Sequence, residues 1–119
     1  MAEKKFYESM KAIVEQQLKG QAFDLLNAEL RTSTNKNGEI EESCRYSCEV
    51  QRGNGSLSRC RFTVKVPGTD LKVNPQTLAN DEEFEIRFEN LKISFIDPKG
   101  NVYFRADSAE VFSLQEVTL

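Results

Sequence analysis

The chain has 119 residues, 39% of them hydrophobic and 29% charged, which is enough for one globular domain with a single core and too little for two. It contains no apolar run of the roughly 20 residues that a membrane span needs and no signal-peptide pattern after Met1, so we expect a cytoplasmic protein that does not enter a membrane. The net charge of −3 argues against a polyanionic partner, but residues 43–79 hold six basic and two acidic residues, so that segment is +4 and the remainder −7.

The first predicted element is an amphipathic helix over residues 4–19. Its apolar residues recur at helical spacing with charged residues between them, and Gly20 follows as a suitable C-terminal cap. We therefore divide the chain into this helix (residues 1–20) and a β-barrel domain (residues 21–119). The helix either covers an open end of the β core or forms a surface for a partner, such as a second copy in a homo-oligomer. Its apolar face consists of Phe6, Met10, Ile13, Val14 and Leu18.

A change of period from helical to two after residue 22 predicts β-strands. The first strand runs toward Thr34, and residues 35–38 (Asn-Lys-Asn-Gly) carry the Asn-Gly signature of a hairpin turn. The second and third strands cover about 39–51 and 57–66, joined by a turn inside 52–56. The inward positions of these two strands are Cys44, Tyr46, Cys48, Val50, Cys60, Phe62, Val64 and Val66.

The cysteines are predicted to be reduced thiols of the core. Inward residues must oppose inward residues, and the register that we predict for the second hairpin places Cys48 opposite Cys60 and Tyr46 opposite Phe62. Cys44 and Cys48 would lie about 13 Å apart along an extended strand, too far to share one metal ion. Because the chain also lacks histidine, we expect no metal site and no cofactor.

An irregular connection at 67–81 precedes a long strand, a turn at 97–101 and a last strand from Val102. The apolar alternation of the long strand slips at Asn90, which predicts a β-bulge that bends the strand around the corner of a barrel. The fold is therefore expected to be mainly β: a small antiparallel barrel of five to six strands (OB-like), or a sandwich, with one N-terminal amphipathic α-helix. The apolar positions of the long strand are Phe84, Ile86, Phe88, Leu91, Ile93 and Phe95.

The sequence offers little for catalysis. A nucleophile needs a neighbouring base, usually histidine, and there is none. Two acidic clusters flank strands beside turns, where carboxylates are solvated, and no phosphate-binding glycine loop is present. We therefore expect a protein that is not an enzyme. The acidic clusters are Glu39, Glu41 and Glu42, and Asp81, Glu82, Glu83 and Glu85.

The outward strand positions are richer in basic residues, with one tyrosine among them. Surfaces of this kind hold single-stranded nucleic acid, because cations follow the phosphates and rings stack on bases. The alternative is an ordinary solvated sheet face. The candidate nucleic-acid-binding residues are Arg45, Arg59, Arg61, Lys65, Arg87, Lys92, Tyr103 and Arg105.

Four segments carry a resemblance: residues 22–30 (AFDLLNAEL), 64–67 (VKVP), 84–90 (FEIRFEN) and 103–111 (YFRADSAEV). Their order resembles the YdcP-like family of accessory proteins from Gram-positive conjugative elements. The chain departs from that family at Asp24, where the family has glycine, and in its N-terminal helix. The resemblance implies a small β-barrel without catalytic residues that assists DNA processing by a helicase and a relaxase.

Residue patterns and resemblance together predict a non-enzymatic accessory protein of a conjugative or other mobile genetic element. Its expected partners are single-stranded DNA and the helicase or relaxase of that element. The alternative is a protein–protein interaction module, such as a phage- or plasmid-encoded adaptor or inhibitor, that binds no nucleic acid.

Overall fold

The computed structural model describes residues 12, 14–51, 60–79, 83–96, 98–99 and 102–113. This part of the chain is mainly β, as predicted. The helix α1 is described at residues 12 and 14–18, and a second, short helix, α2, spans Pro75–Ala79. None of the described helices is long and apolar enough to cross a membrane. The strands are β1 (Phe23–Thr34), β2 (Ile40–Glu49), β3 (Arg61–Pro67), β4 (Phe84–Glu89), β5 (Lys92–Ile96), β6 (Val102–Arg105) and β7 (Ser108–Ser113).

The seven described strands form one sheet in the order β5-β6-β3-β2-β1-β4-β7. All neighbouring pairs are antiparallel except β3 and β6, which are parallel. The curled sheet agrees with the predicted β-barrel, but it has seven strands and one parallel pair where five to six antiparallel strands were expected. The parallel pair arises because β6 is reached from β3 by a long crossover that contains α2, β4 and β5.

The strands β4 and β5 follow each other in the chain, as do β6 and β7, although the sheet order separates the members of each pair. Together the four strands form one long hairpin. The pairs Phe84↔Ser113 and Lys92↔Arg105 follow a single register, so β4–β5 runs antiparallel to β6–β7 throughout. One half of this hairpin pairs with β3 through β6, and the other half pairs with β1 through β4. The sheet consequently curls back on itself into a partial barrel of the OB-like kind.

The bend in this hairpin lies at Asn90, where the sequence predicts a bulge. Asn90 has a φ of 55°, in the left-handed region that few residues other than glycine adopt. Phe88 opposes Ala109 and Ile93 opposes Phe104, and both Ala109 and Phe104 are buried. The inward positions therefore shift by one residue on both strands at the bend, and neither strand has an inserted residue there. The register shift lies instead between Ile93 and Phe95.

The barrel interior holds the inward residues predicted for β2, which are at most 1% exposed. The register predicted for β2 and β3 is wrong by two residues, because Cys48 opposes Phe62 and Cys44 opposes Val66. A shift of two keeps every side chain on its face, so the core is unaffected. Cys60 lies at the end of the ladder and is exposed, which corrects its inward assignment. Its carbonyl accepts a hydrogen bond from the N–H of Val50 (2.8 Å).

The α1 helix packs on one end of the barrel. Leu18 is 3% exposed, and Val14 is partly buried against the same core. Glu15 Oε1 accepts a hydrogen bond from the N–H of Ile93 (3.1 Å). Gly20 has a φ of 75°, as expected for a C-terminal cap. The remaining residues of the predicted helix, 4–11 and 13, lie outside the described residues.

Candidate nucleic-acid interface

The sheet register brings four of the predicted basic residues into one line across four strands. Lys92 pairs with Arg105, Arg105 with Lys65, and Lys65 with Arg45. Each alternates with buried neighbours such as Phe104 and Val64, so all four lie on the outer face. With strands about 4.8 Å apart, the line spans about 14 Å. We call Lys92, Arg105, Lys65 and Arg45 the basic row.

Like charges directly opposite each other in a sheet are destabilising. None of the four side chains forms a salt bridge with any other residue that the structure describes. The Nε atom of Arg45 is buried and lacks a hydrogen-bond partner. On the β1 side, Arg45 opposes Glu29, but Glu29 Oε1 already accepts a hydrogen bond from Arg31 Nε at 2.7 Å. The basic row is thus a line of four positive charges that forms no salt bridge with a described residue, and such a line attracts an anion.

An open groove of about 660 Å³ follows the β5 end of the basic row. Among the described residues that line it, Asp107 alone has a carboxylate, and its Oδ2 accepts a hydrogen bond from Asn90 Nδ2 (2.7 Å). The groove is therefore cationic in balance and wide enough to admit a ligand group from solvent. Its lining residues are Lys65, Pro67, Asn90, Lys92, Ser94, Arg105, Ala106 and Asp107.

A second line of outward residues runs parallel to the basic row and contains no charge. Phe95 pairs with Tyr103, Tyr103 with Thr63, and Thr63 with Ser47. The Phe95 and Tyr103 rings are stacked, with centroids 4.6 Å apart and an interplanar angle of 14°. Phe95 is 52% exposed. We call Phe95, Tyr103, Thr63 and Ser47 the neutral row.

A third line on this face, mainly acidic, lies on the side of the neutral row that is away from the basic row. It passes from Arg61 to Glu49, then to Asp24 and Glu85. Arg61 Nε donates a hydrogen bond to Glu49 Oε2 (2.9 Å), so this predicted site residue is engaged in an ion pair. Gln51 Nε2 donates to Glu85 Oε2 (3.0 Å) and to Asp24 Oδ1 (3.3 Å). An anionic ligand is thereby directed toward the basic row.

Not all predicted site residues meet on this surface. Arg87 lies on β4, opposite Glu110, with its guanidinium 5.7 Å from the centre of the Phe112 ring. This position is on another side of the barrel, away from the basic row. Arg59 lies outside the described residues. Of the eight candidates, the basic row and Tyr103 form one surface, and Arg61 borders it.

Two apolar residues of this face escaped the sequence analysis. Phe95 was expected to point inward, but the register shift after Ile93 turns it outward to stack on Tyr103. Leu26, at the register shift in β1, lines a depression of about 490 Å³ beside the neutral row, together with Thr63 and Tyr103. Both residues lie at a β-bulge, and the direction of a side chain at a bulge cannot be predicted from strict alternation.

The described part of the barrel holds no reactive cluster. No group of three or more His, Cys, Asp or Glu residues there is placed to hold a metal ion. Burial raises the pKa of the Cys48 thiol and that of Cys44, whose Sγ donates to the carbonyl of Gly68 (3.6 Å). Burial also raises the pKa of Tyr46 to about 12, and its hydroxyl accepts a hydrogen bond from the N–H of Lys72 (3.1 Å). These groups stay protonated at neutral pH and serve the core.

Comparisons with protein-family models, with curated proteins and with solved structures gave no match. The resemblance to the YdcP-like family therefore stays a prediction from the sequence.

Proposed function

We propose that the protein is a non-enzymatic binding protein that holds single-stranded nucleic acid on its outer face. The basic row follows the phosphates, and the neutral row receives the bases. The observation that carries this proposal is the pairing of Lys92, Arg105, Lys65 and Arg45 in one line that forms no salt bridge with a described residue. Such a line reduces the stability of the folded protein, and a bound chain of phosphates offsets that cost.

The neutral row favours a single strand over a duplex. It lies two residues along β2, β3 and β6 from the basic row, a distance of about 7 Å, and three residues along β5 because of the register shift there. An unpaired strand can lay its backbone on the cations and turn its bases onto the exposed ring of Phe95. In a duplex the bases are stacked inside and cannot reach this ring. OB-like barrels also commonly bind oligonucleotides on the face formed by their second and third strands, and β2 and β3 carry Arg45 and Lys65 here.

The family resemblance suggests where such a protein works. On that basis we place it with the DNA-processing machinery of a conjugative or other mobile genetic element, in the cytoplasm. It would hold single-stranded DNA beside the helicase or relaxase that generates it.

A protein–protein interaction module is the second candidate. The hairpin of β1 and β2 exposes two large aliphatic side chains, Ile40 (74% exposed) and Leu30 (54%). Beside them its tip carries Glu39, Glu41 and Glu42. In this case the basic row would meet an acidic protein segment or only solvent.

Binding of a fluorescent oligothymidylate, followed by anisotropy across a salt series, tests the proposal. Four phosphate contacts on a single strand give a log–log salt slope of about −3. The Lys65→Glu and Arg105→Glu variants should lose binding, whereas the matched charge reversal Arg87→Glu, outside the basic row, should keep it. Phe95→Ala should weaken binding about tenfold through lost base stacking.

An interaction module gives a different result in the same assay. The protein would then not bind the oligothymidylate even at low salt, and the Lys65→Glu and Phe95→Ala variants would not differ from the wild type. No binding at low salt, or equal losses in Arg87→Glu and Lys65→Glu, would contradict the proposal.

A further inference from the structure

The strand β1 has a long edge with which no described strand pairs. On one side it pairs with β2 up to Thr34, but on the other side it pairs with β4 only at Phe23 and Asp24. The short helix α2 packs against β1, and from Leu30 to Thr34 every residue is exposed. No described residue pairs with this edge beyond Asp24. An exposed edge of this kind is a template for another strand.

The backbone groups that point to this edge can be assigned. The N–H of Asn35 donates to the carbonyl of Glu39 (2.9 Å), and hydrogen-bonded pairs recur at every second residue of an antiparallel ladder. The backbone of Arg31 therefore exchanges hydrogen bonds with that of Ser43 on β2, and the backbone of Glu29 with that of Arg45. The intervening residues direct their N–H and C=O groups to the free edge. These residues are Ala28, Leu30, Thr32 and Thr34.

The side chains along the edge are complementary to themselves. A second copy can lie antiparallel to β1 with the two Leu30 residues opposite each other. In this register Glu29 of each copy lies opposite Arg31 of the other. Both charged residues lie on the outer face, where they already form an ion pair within one chain. The Leu30 side chains, 54% exposed, meet on the inner face. An arrangement in which each partner offers the same patch is what twofold symmetry requires.

We infer that β1 pairs edge to edge with β1 of a second copy, forming a symmetric dimer with a continuous sheet across the two barrels. In this register Leu30 bonds to Leu30 of the second copy, and Ala28 bonds to its Thr32. Glu29 and Arg31 of the two chains form a network of four charges. The occupant of the edge is thus another molecule of this protein.

The dimer itself does not depend on the proposed function, but its consequence for binding does. A twofold axis perpendicular to the sheet keeps both outer faces on the same side. The two basic rows then lie on one surface, with Arg45 of each copy about 16 Å apart across the paired β1 strands. A single strand of nucleic acid could therefore contact both copies.

Sedimentation velocity of the free protein across a concentration series tests the inference without any nucleic acid. Thr32→Pro removes an N–H that points to the edge and leaves the β1–β2 ladder intact, so it should yield monomer. Thr32→Ala is its control and should stay dimeric. Circular dichroism checks that each variant is folded.

A charge exchange gives an independent test if Thr32→Pro does not fold. Glu29→Arg or Arg31→Glu alone should weaken the dimer about tenfold, because like charges then face each other. The double variant Glu29→Arg with Arg31→Glu should restore it. Glu41→Arg, on the outer face of β2 away from the edge, should leave the dimer unchanged. A wild-type protein that stays monomeric at high concentration, or a dimer insensitive to both tests, would overturn the inference.

Discussion

At the scale of single residues, the central feature is the crowding of positive charge around Lys65. This lysine lies between Arg105 and Arg45, and no carboxylate of the described chain forms a salt bridge with it. Two other basic residues of the outer face do form ion pairs, Arg61 with Glu49 and Arg31 with Glu29. The strands β5 and β6, which carry Lys92 and Arg105, also present Phe95 and Tyr103, and the proposed binding role rests on this combination.

Removing the charge of Lys65 should therefore stabilise the folded protein while it weakens binding. We expect Lys65→Gln to raise the free energy of unfolding by about 0.5–1 kcal/mol at low salt, because cross-strand repulsion is relieved. Added salt should stabilise the wild type more than the variant. Urea denaturation at two salt concentrations measures both effects.

The matched control is Arg87→Gln. Arg87 opposes Glu110, so loss of its charge should cost a few tenths of a kcal/mol. A Lys65→Gln variant that is less stable than the wild type would show that the basic row is not under strain from repulsion.

At the scale of elements, the helix α1 and the bent hairpin of β4–β7 act together. Leu18 and Val14 pack on the barrel end where the chain bends at Asn90, and Glu15 bonds to the backbone of β5 there. Since β5 also carries Lys92, α1 helps to hold one end of the basic row in place.

Truncation of Leu18 tests this link between helix and barrel. Leu18 is 3% exposed, so Leu18→Ala should lower the free energy of unfolding by about 2–5 kcal/mol. Lys19→Ala, at an exposed neighbouring position, should change it by less than about 0.5 kcal/mol. Thermal and urea denaturation of both variants provide the comparison. Equal, small effects would mean that α1 does not stabilise the barrel.

Local periodicity predicted the elements and faces that depend only on neighbouring residues. Alternation assigned Cys44, Tyr46 and Cys48 to the core, and the Asn-Gly pair ending at Gly38 located the first hairpin turn. The outward set that alternation gives contains every member of the basic row. These are the parts of the fold that a side-chain period of two can specify.

Long-range register could not be predicted in the same way. Nothing local indicates that Arg105 lies beside Lys65, because their strands are parallel and joined by a long crossover. Bulges hide similar information, as Phe95 illustrates. The basic row forms only through strand pairing, whereas alternation along each strand predicts only which residues point outward.

At the scale of the whole molecule, the curled sheet arranges the charged side chains of its outer face in lines across the strands. The outer face carries a basic row, a neutral row and an acidic line in sequence, although the net charge is −3. On this face acidic side chains meet the basic row at Glu29, opposite Arg45, and at Asp107, in the groove, and the acidic line lies beyond the neutral row. A polyanion can bind a protein of this net charge only in an orientation that the rows select.

An NMR titration of the protein with a short oligothymidylate tests this orientation most directly. We expect the amide signals of Thr63, Lys65, Tyr103 and Arg105 to shift with added oligonucleotide, and those of Arg87 and Glu110 to stay in place. Shifts confined to β4 and β7, or no shifts at low salt, would contradict a single-strand site on the basic and neutral rows.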